Sequence, residues 1–205
     1  MVAAIAQHRA RRLPAEERRK AILEAAVCVF AERGYAATGT ADIAAAAGVG
    51  EPTIYRYFAN KRELYLAALR QSGDEVMENW RRIAAENEDP LNALLLLGQW
   101  YHQTLRERPE ILKLRFRSIA EGHDPELAHH AQAVYREVAQ FIEGLFEQAR
   151  RQGRLSPDTD TKTMMWLFMA VGSLLDMTQL LGIGDELGPK ELVSIGRVIF
   201  EGRQF

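Results

Sequence analysis

The sequence lacks the features that stabilise or identify several common classes of protein. Cysteine occurs once, as Cys28, so no internal disulfide can form. Because Cys28 lies among apolar residues at helical spacing in the segment AAVCVF, we expect an inert thiol in the hydrophobic core. Continuous apolar runs of about 18 residues, the length that spans a membrane, are also missing, and no membrane partner is expected.

Targeting and catalytic signals are missing as well. The opening segment MVAAIAQHRARR has too short an apolar run for a signal peptide and places its charges after that run, so we expect a cytoplasmic protein. The sequence has no HExxH or CxxC metal spacing, no glycine-rich phosphate loop and no nucleophile elbow. The adjacent His129 and His130 point to different faces of a helix. We therefore expect no enzymatic activity, no metal and no cofactor.

Charge is unevenly distributed along the chain, although its total of −2 is small. Residues 1–62 contain ten Lys and Arg against six Asp and Glu, a net charge of +4. Residues 63–205 contain sixteen against twenty-two, a net charge of −6. A polyanion such as DNA is attracted by the first segment and repelled by the second. The asymmetry favours a nucleic-acid partner for the N-terminal part only.

The segment TGTADIAAAAGVGEPTIYRYFANK, residues 38–61, has the pattern of a helix-turn-helix. Gly48 follows the predicted helix Thr40–Ala47 at the position where the backbone becomes left-handed, a conformation that glycine tolerates best. Pro52 falls in the first turn of the next helix, where its missing N–H costs nothing. This second helix, predicted over residues 51–58, is short and would lie in the major groove of DNA.

The outer face of this second helix carries groups that suit DNA. Ile54 and Phe58 are spaced to face inward. Tyrosine and threonine hydroxyls beside Arg56 can donate to phosphates and base edges. Packing of Tyr55 and Tyr57 against the first helix of the domain is an alternative that the sequence leaves open. The residues predicted on the outer face are Glu51, Thr53, Tyr55, Arg56 and Tyr57.

Helix-breaking residues divide the remainder of the chain. Breaks are predicted at Pro109 and within residues 122–125, 153–157 and 182–189. Period-two β-branched runs are missing, so we expect an all-α fold with nine helices, in which a three-helix DNA-binding domain precedes a larger helical domain. The predicted parts are a basic flexible arm at 1–13, a helix-turn-helix domain at 14–60 and an all-helical domain at 61–205. DNA contact and simple solvation are both open for the arm.

Two helices of the larger domain are apolar on nearly every side. The segments LNALLLLGQWY and MMWLFMAVGSLLDM are too short to span a membrane, so protein must bury them. In the second, the small residues Gly172 and Ser173 lie opposite the face that lines the interior, and they would pack outside the monomer. His102 and Asp176 interrupt these helices, and a buried polar group needs a partner. We expect both to be solvated or to face another subunit, with ligand contact as the alternative.

The block RKAILEAAVCVFAERGYAATGTADIAAAAGVGEPTIYRYFANKRELYLAAL resembles the N-terminal domain of the TetR family of transcriptional regulators. The resemblance implies phosphate contacts at Thr40, Tyr55, Tyr57 and Lys61. It implies sequence-reading contacts at Ala41, Glu51, Pro52, Thr53 and Arg56. Gly39 stands where many members have Ser or Thr, and Gly50 where they commonly have Ser, so hydroxyl contacts are not implied at these two positions.

The resemblance also implies a second subunit and a ligand, so residues 61–205 are expected to be a ligand-binding and dimerisation domain. Family members form homodimers through a four-helix bundle of helices 8 and 9, and most hold a small molecule among helices 4 to 8. The interface residues implied here are Gly172, Ser173, Leu192, Ile195, Val198 and Ile199. The pocket candidates are Trp100, Tyr101, His102, Phe116, Phe141, Met165, Trp166, Phe168, Met169 and Asp176, and for the aromatic and methionine residues a plain core position is the alternative.

These inferences combine into one functional hypothesis. We expect a homodimeric repressor that binds a palindromic DNA operator and is released by a small, largely hydrophobic inducer that the sequence does not identify. A regulator that responds to a protein partner, a regulator without an inducer, and an activator are the alternatives.

Overall fold

Helices form the regular secondary structure of the part of the chain that the structure describes. The structure, a computed structural model, describes residues 14–120 and 124–201, with side chains in the last helix only through residue 198. No strand occurs in these two segments, so the predicted all-α fold with nine helices is confirmed for them. The basic arm predicted at residues 1–13 lies outside the described residues. The α-helices are α1 Ala15–Ala37, α2 Thr40–Ala46, α3 Glu51–Tyr55, α4 Lys61–Ala85, α5 Pro90–Glu107, α6 Pro109–Ala120, α7 Pro125–Arg151, α8 Thr161–Leu180 and α9 Pro189–Glu201.

Two compact units divide the chain after Gln71, inside α4. The division lies beyond the boundary expected at residue 60, because the first turns of α4 contribute to the core of the first unit. Leu64 and Tyr65 are fully buried there. The ring of Tyr65 lies 4.8 Å from that of Phe30 and 5.0 Å from that of Tyr35, measured between centroids. The functions assigned to the two units stay predictions.

One face of α1 supplies much of the core of the first unit. Its buried residues are Ile22, Leu23, Ala26, Val27, Phe30 and Ala31. Cys28 is exposed, so the expectation of a core thiol is wrong. The reason is helical geometry, since Cys28 is rotated roughly 200° from Ala26 and points away from the buried stripe.

Two glycines make the turns on which the first unit depends. Gly34 has a φ of 78° and interrupts the helical backbone of α1, which resumes after it and ends at Ala37. Gly48 has a φ of 65°, as predicted for the turn after α2. The N–H of Val49 then donates to the carbonyl of Ala44 over 3.0 Å, which satisfies an orphan acceptor at the helix end.

The second unit is organised around α5, α7 and α8. Helix α7 packs against both α5 and α8, and α5 also packs against α9. The side chains at the centre include Trp80, Leu94, Leu97, Phe146 and Leu175. Three of its helices begin with an aspartate whose carboxylate accepts from backbone N–H groups of the first turn, at Asp89, Asp124 and Asp160. The breaks predicted at Pro109, 153–157 and 182–189 are confirmed.

Candidate nucleic-acid interface and ligand site

Helices α2 and α3 form the predicted helix-turn-helix, but α3 is shorter than predicted. It begins after Gly50, whose carbonyl accepts from the N–H of Thr53 over 2.8 Å, and it ends at Tyr55 instead of residue 58. The N–H groups of Arg56 and Tyr57 bond three residues back, to Thr53 and Ile54. This tighter turn replaces the last turn of the α-helix and lets Phe58 enter the core.

The residues with predicted DNA contacts differ in their accessibility. Ala41, Pro52, Tyr55 and Arg56 are exposed, and Tyr55 is 51% exposed. Glu51, Thr53, Tyr57 and Lys61 are half-buried. Thr40 is only 7% exposed. The exposed residues of α2 and α3 therefore form one accessible surface, whereas Thr40 belongs to the interior behind it.

Thr40 links the two helices through its hydroxyl. It donates to the carboxylate of Glu51 over 2.5 Å, and its oxygen lies 2.9 Å from the hydroxyl of Tyr55. Glu51 is the first residue of α3 and Tyr55 the last, so the single hydroxyl holds both ends of α3 against the start of α2. These bonds occupy three side chains for which the sequence implies contacts to DNA.

Lys61 is likewise engaged within the first unit. Its Nζ donates to the carbonyls of Tyr35 and Thr38, each over 2.9 Å, and lies 4.5 Å from the centroid of the Tyr35 ring. An ammonium group has three protons, so one remains for a phosphate. Lys61 therefore ties the segment between α1 and α2 to the start of α4, a role that the sequence does not indicate.

Replacement of Lys61 by methionine is expected to lower the free energy of unfolding of the protein by about 1–2 kcal/mol, because two charge-assisted hydrogen bonds to carbonyls are lost. Urea unfolding followed by circular dichroism measures the change. Lys20→Met removes the same charge from an exposed site whose ion pair with Glu24 spans 4.0 Å, and it should change stability by less than about 0.5 kcal/mol. Equal losses in the two variants would contradict the structural role of Lys61.

Side-chain oxygens accept from backbone N–H groups at the starts of α2 and α4. Helix α2 begins at Thr40, and Gly39 is its capping residue. Glycine has no capping side chain, and instead Asp42 accepts from the N–H of Gly39 over 3.0 Å. This backbone bond, together with Arg33 at 2.9 Å, lowers the pKa of Asp42. At α4, Asn60 accepts from the N–H of Glu63 over 2.9 Å and caps the first turn of the helix.

Comparison with known proteins agrees with this arrangement. Residues 22–68 match the family model described as bacterial regulatory proteins, tetR family. This segment of the chain belongs to the TetR family. The HTH-type transcriptional activator FasR of Mycolicibacterium smegmatis is 43% identical over 88 residues, which are 42% of this chain and 40% of FasR. The HTH-type transcriptional repressor KstR2 of Mycobacterium tuberculosis is 39% identical over 77 residues, which are 38% of each chain.

The similarity of sequence to these TetR-family relatives covers less than half of their length, whereas the similarity of fold is wider. The structure of the fatty acid degradation regulator FadR from Bacillus halodurans superposes with a TM-score of 0.78 over 90% of this chain and 99% of FadR. Its sequence identity is 21%, so it shows a shared fold. The matched residues 22–68 include α2, α3 and the start of α4.

In the second unit, aromatic rings from four helices meet at Trp80. Its ring centroid lies 5.9 Å from that of Tyr101, 6.5 Å from that of Phe141 and 6.3 Å from that of Phe168. Trp100, Phe116, Met165 and Met169 pack in the same core. The structure thus brings together most of the predicted pocket residues. Trp80 is not among the pocket residues predicted from the sequence, because its position in α4 does not indicate which rings it meets.

Asp176 is buried inside the unit, so the expectation of a solvated or subunit-facing position is wrong for it. It accepts from the Tyr101 hydroxyl over 2.7 Å and forms an ion pair with Arg115, whose guanidinium also lies 5.8 Å from the Tyr101 ring centroid. Burial raises the pKa of Asp176, although Arg115 and Tyr101 both act to lower it. Arg115 gives no signal in the sequence as the partner, because it lies on a different helix.

Two other predicted pocket residues are placed differently from expectation. His102 is also buried, at 3% exposure, so it is not solvated. Among the described residues, its Nε2 and the Nε1 of Trp80 are the buried side-chain nitrogens without a hydrogen-bond partner. Trp166 is 50% exposed and pairs with Tyr135, so its predicted place in an interior pocket is wrong. It lies on the outward face of α8.

A small apolar cavity lies between α5, α8 and α9, and Phe168 separates it from Trp80. Its volume is about 40 Å³. Pockets for drug-sized ligands measure roughly 300–1,000 Å³. A ligand of that size would therefore have to displace side chains such as Phe168 to bind here.

One face of α8 is apolar and exposed. Ser173 lies on this face, and Gly172 is half-buried beside it. Within residues 14–120 and 124–201, no helix is long and apolar enough to cross a membrane. The large exposed side chains on or just after α8 are Trp166, Leu167, Leu174, Met177, Leu180 and Leu181.

Helix α9 contributes less to an outer surface than the sequence implies. Val198 is 63% exposed, as a contact residue would be. Leu192 is 8% exposed and belongs to the core of its own unit, with Ile195 packed against that core. Their assignment to an interface is corrected, because α9 turns its more apolar side toward α5. The side chain of Ile199 lies outside the described residues.

Proposed function

We propose that this protein is a homodimeric transcriptional repressor that binds a palindromic DNA operator in the cytoplasm through α2 and α3. The observation that carries the proposal is the accessible surface of Ala41, Pro52, Tyr55 and Arg56 on a helix-turn-helix. A helix of this kind enters the major groove, where base edges differ between all four base pairs. The net charge of +4 on residues 1–62 attracts the phosphate backbone.

The exposed face of α8 supports assembly of two copies. Six large apolar side chains on one helix and its end are unusual for a monomer, and they suit a self-complementary interface. A two-fold dimer would bind two half-sites about 34–36 Å apart, one turn of DNA. The proposed interface comprises the outer face of α8 with Val198 of α9, without Leu192 and Ile195.

Binding to DNA from the region upstream of the gene tests the proposal directly. We expect a specific complex in a gel shift, weakened steeply by salt because phosphate contacts release counterions. Competition with a scrambled duplex of the same composition separates specific from general binding. Equal competition by the two duplexes would count against an operator-binding function.

Arg56→Ala is expected both to weaken binding and to change the preferred DNA sequence, because the exposed guanidinium suits bidentate contact with a guanine edge. The loss on the preferred duplex should be about 1–3 kcal/mol, or roughly tenfold to a hundredfold in Kd. Selection from random duplexes with the wild type and the variant measures preference. Arg70→Ala, an exposed arginine on α4, is the matched control for charge. An unchanged preference in the Arg56 variant would remove its sequence-reading role.

A ligand would act on the second unit, and we propose a small, largely hydrophobic one. Support comes from the aromatic cluster around Trp80, which offers rings from α4, α5, α7 and α8 together with the polar groups of Tyr101 and Asp176. Release of DNA requires that the ligand prefer a conformer unable to bind the operator. Helix α4 has residues in both units and is the continuous backbone link between them.

A thermal-shift screen tests whether a ligand is needed. Compounds that bind the folded protein raise its melting temperature by mass action. The small volume of the cavity beside Phe168, about 40 Å³, favours the alternative of a regulator without an inducer. Stabilisation by hydrophobic compounds that also release DNA supports the ligand model. Release by none of them, despite DNA binding, supports the alternative.

Activation of transcription is the second candidate function. FasR is named as an activator and KstR2 as a repressor, and each matches less than half of this chain. Reporter expression with and without the gene decides the sign of regulation. Higher expression in the deletion supports repression, and lower expression supports activation.

A further inference from the structure

The hydrogen bonds that join Thr40, Glu51 and Tyr55 have a direction fixed by their chemistry. An ionised carboxylate only accepts, so the 2.5 Å bond between Thr40 and Glu51 uses the proton of the threonine hydroxyl. A hydroxyl has one proton. The 2.9 Å contact between Thr40 and Tyr55 must therefore be donated by Tyr55. The chain of donors runs from Tyr55 through Thr40 to Glu51.

This direction leaves Tyr55 without a proton for DNA. Its side chain is 51% exposed on the surface proposed to contact DNA, yet its one phenolic proton points back to Thr40. The outward side of the oxygen carries lone pairs. Phosphate oxygens are acceptors, so they gain nothing from a second acceptor and need a donor.

We propose that Glu51 is a positioning residue that directs the Tyr55 proton inward and thereby limits non-specific binding to DNA phosphates. This inference rests on the proposed DNA-binding function, and it gives Glu51 a role other than contact with a base. The Glu51 carboxylate fixes the direction of these hydrogen bonds by accepting the proton of Thr40. Thr40 is 7% exposed, and its hydroxyl oxygen in turn accepts the proton of Tyr55. Discrimination between sequences is left to the exposed Arg56 and Pro52.

The direction of these hydrogen bonds can reverse when the side chain of residue 51 is able to donate a proton to Thr40. In Glu51→Gln, the amide N–H can donate to Thr40, Thr40 to Tyr55, and Tyr55 to a phosphate. The gain from one such hydrogen bond should strengthen binding to a non-specific duplex about tenfold. Removal of the negative charge alone should strengthen it less, roughly twofold to threefold at moderate salt.

A double-mutant cycle separates the two effects. The proteins are the wild type, Glu51→Gln, Tyr55→Phe and the double variant, each titrated by fluorescence anisotropy into a scrambled duplex and into the preferred duplex. Tyr55→Phe removes the proton but keeps the ring, so the gain from Glu51→Gln should fall to the twofold to threefold charge effect in that background. Thermal melting by circular dichroism checks that all four proteins are folded.

The outcomes distinguish this inference from the function on which it rests. A gain on the scrambled duplex that is at least about threefold larger with Tyr55 than with the Tyr55→Phe change supports the direction of the chain. Equal gains in both backgrounds overturn it, and so does a change of preferred base pair without a gain on the scrambled duplex. If four folded proteins bind neither duplex, the proposed DNA-binding function itself fails.

Discussion

Replacement of Leu174 and Met177 by glutamate is expected to convert the proposed dimer to a monomer. The two residues are adjacent on the outer face of α8 and are 47% and 46% exposed. Burial of each against a partner would contribute about 1.5–3 kcal/mol, and a buried unpaired carboxylate would cost more. The dimer dissociation constant should therefore rise by at least a factor of about 100. Sedimentation velocity across a range of concentrations measures it.

The same double variant is expected to lose operator affinity by a factor of about 100 or more, because a monomer contacts only one half-site. Ile119→Glu places a similar charge at a large apolar residue of α6 that is 55% exposed, and it should leave both the assembly and DNA binding unchanged. If the double variant stays dimeric and keeps the melting temperature of the wild type, the apolar face of α8 is not the dimer interface.

Asp176→Ala is expected to destabilise the second unit by about 2–3 kcal/mol. The change leaves the buried Tyr101 hydroxyl without its acceptor and Arg115 without its ion-pair partner. Loss of one partner from a buried ion pair costs about 3–5 kcal/mol, but the Arg115 side chain is 40% exposed and can turn to water, which reduces the loss. Urea unfolding followed by tryptophan fluorescence measures it.

Two controls identify the cause of this loss. Asp176→Asn keeps an acceptor for Tyr101 and removes only the charge, so its loss should be smaller than that of Asp176→Ala. Asp158→Ala changes an exposed aspartate and should alter stability by less than about 0.5 kcal/mol. A loss below about 0.5 kcal/mol for Asp176→Ala would mean that the buried cluster contributes nothing to folding.

Asp176 and its neighbour Met177 show which properties of α8 the sequence predicts and which it does not. The apolar pattern of α8 predicts a helix with an inward and an outward face, and the structure has both. The pattern does not say what Asp176 meets. Its partners Tyr101 and Arg115 are 75 and 61 residues away along the chain, and only the packing of α5, α6 and α8 brings them together.

The candidate DNA surface divides in the same way. The turn at Gly48 and the cap that Asn60 forms with Glu63 each involve residues only a few positions apart. The structure contains both. Glu51 and Lys61 were expected on the DNA side from a resemblance of positions. Their partners, Thr40 for the first and the carbonyls of Tyr35 and Thr38 for the second, depend on how α1, α2 and α4 meet.

The sequence by itself determined the nine α-helices of the described residues, the breaks at Pro109, 153–157 and 182–189, and the helix-turn-helix. Caps, glycine turns and apolar periods act over a few neighbouring residues. Tertiary structure alone decided that Cys28 is outside, that Leu192 is inside, and that the Tyr55 hydroxyl meets that of Thr40. These outcomes depend on the partner that each side chain meets across a helix contact. A local sequence pattern predicts the face of its helix on which a side chain lies. It does not predict which group on another helix that side chain contacts.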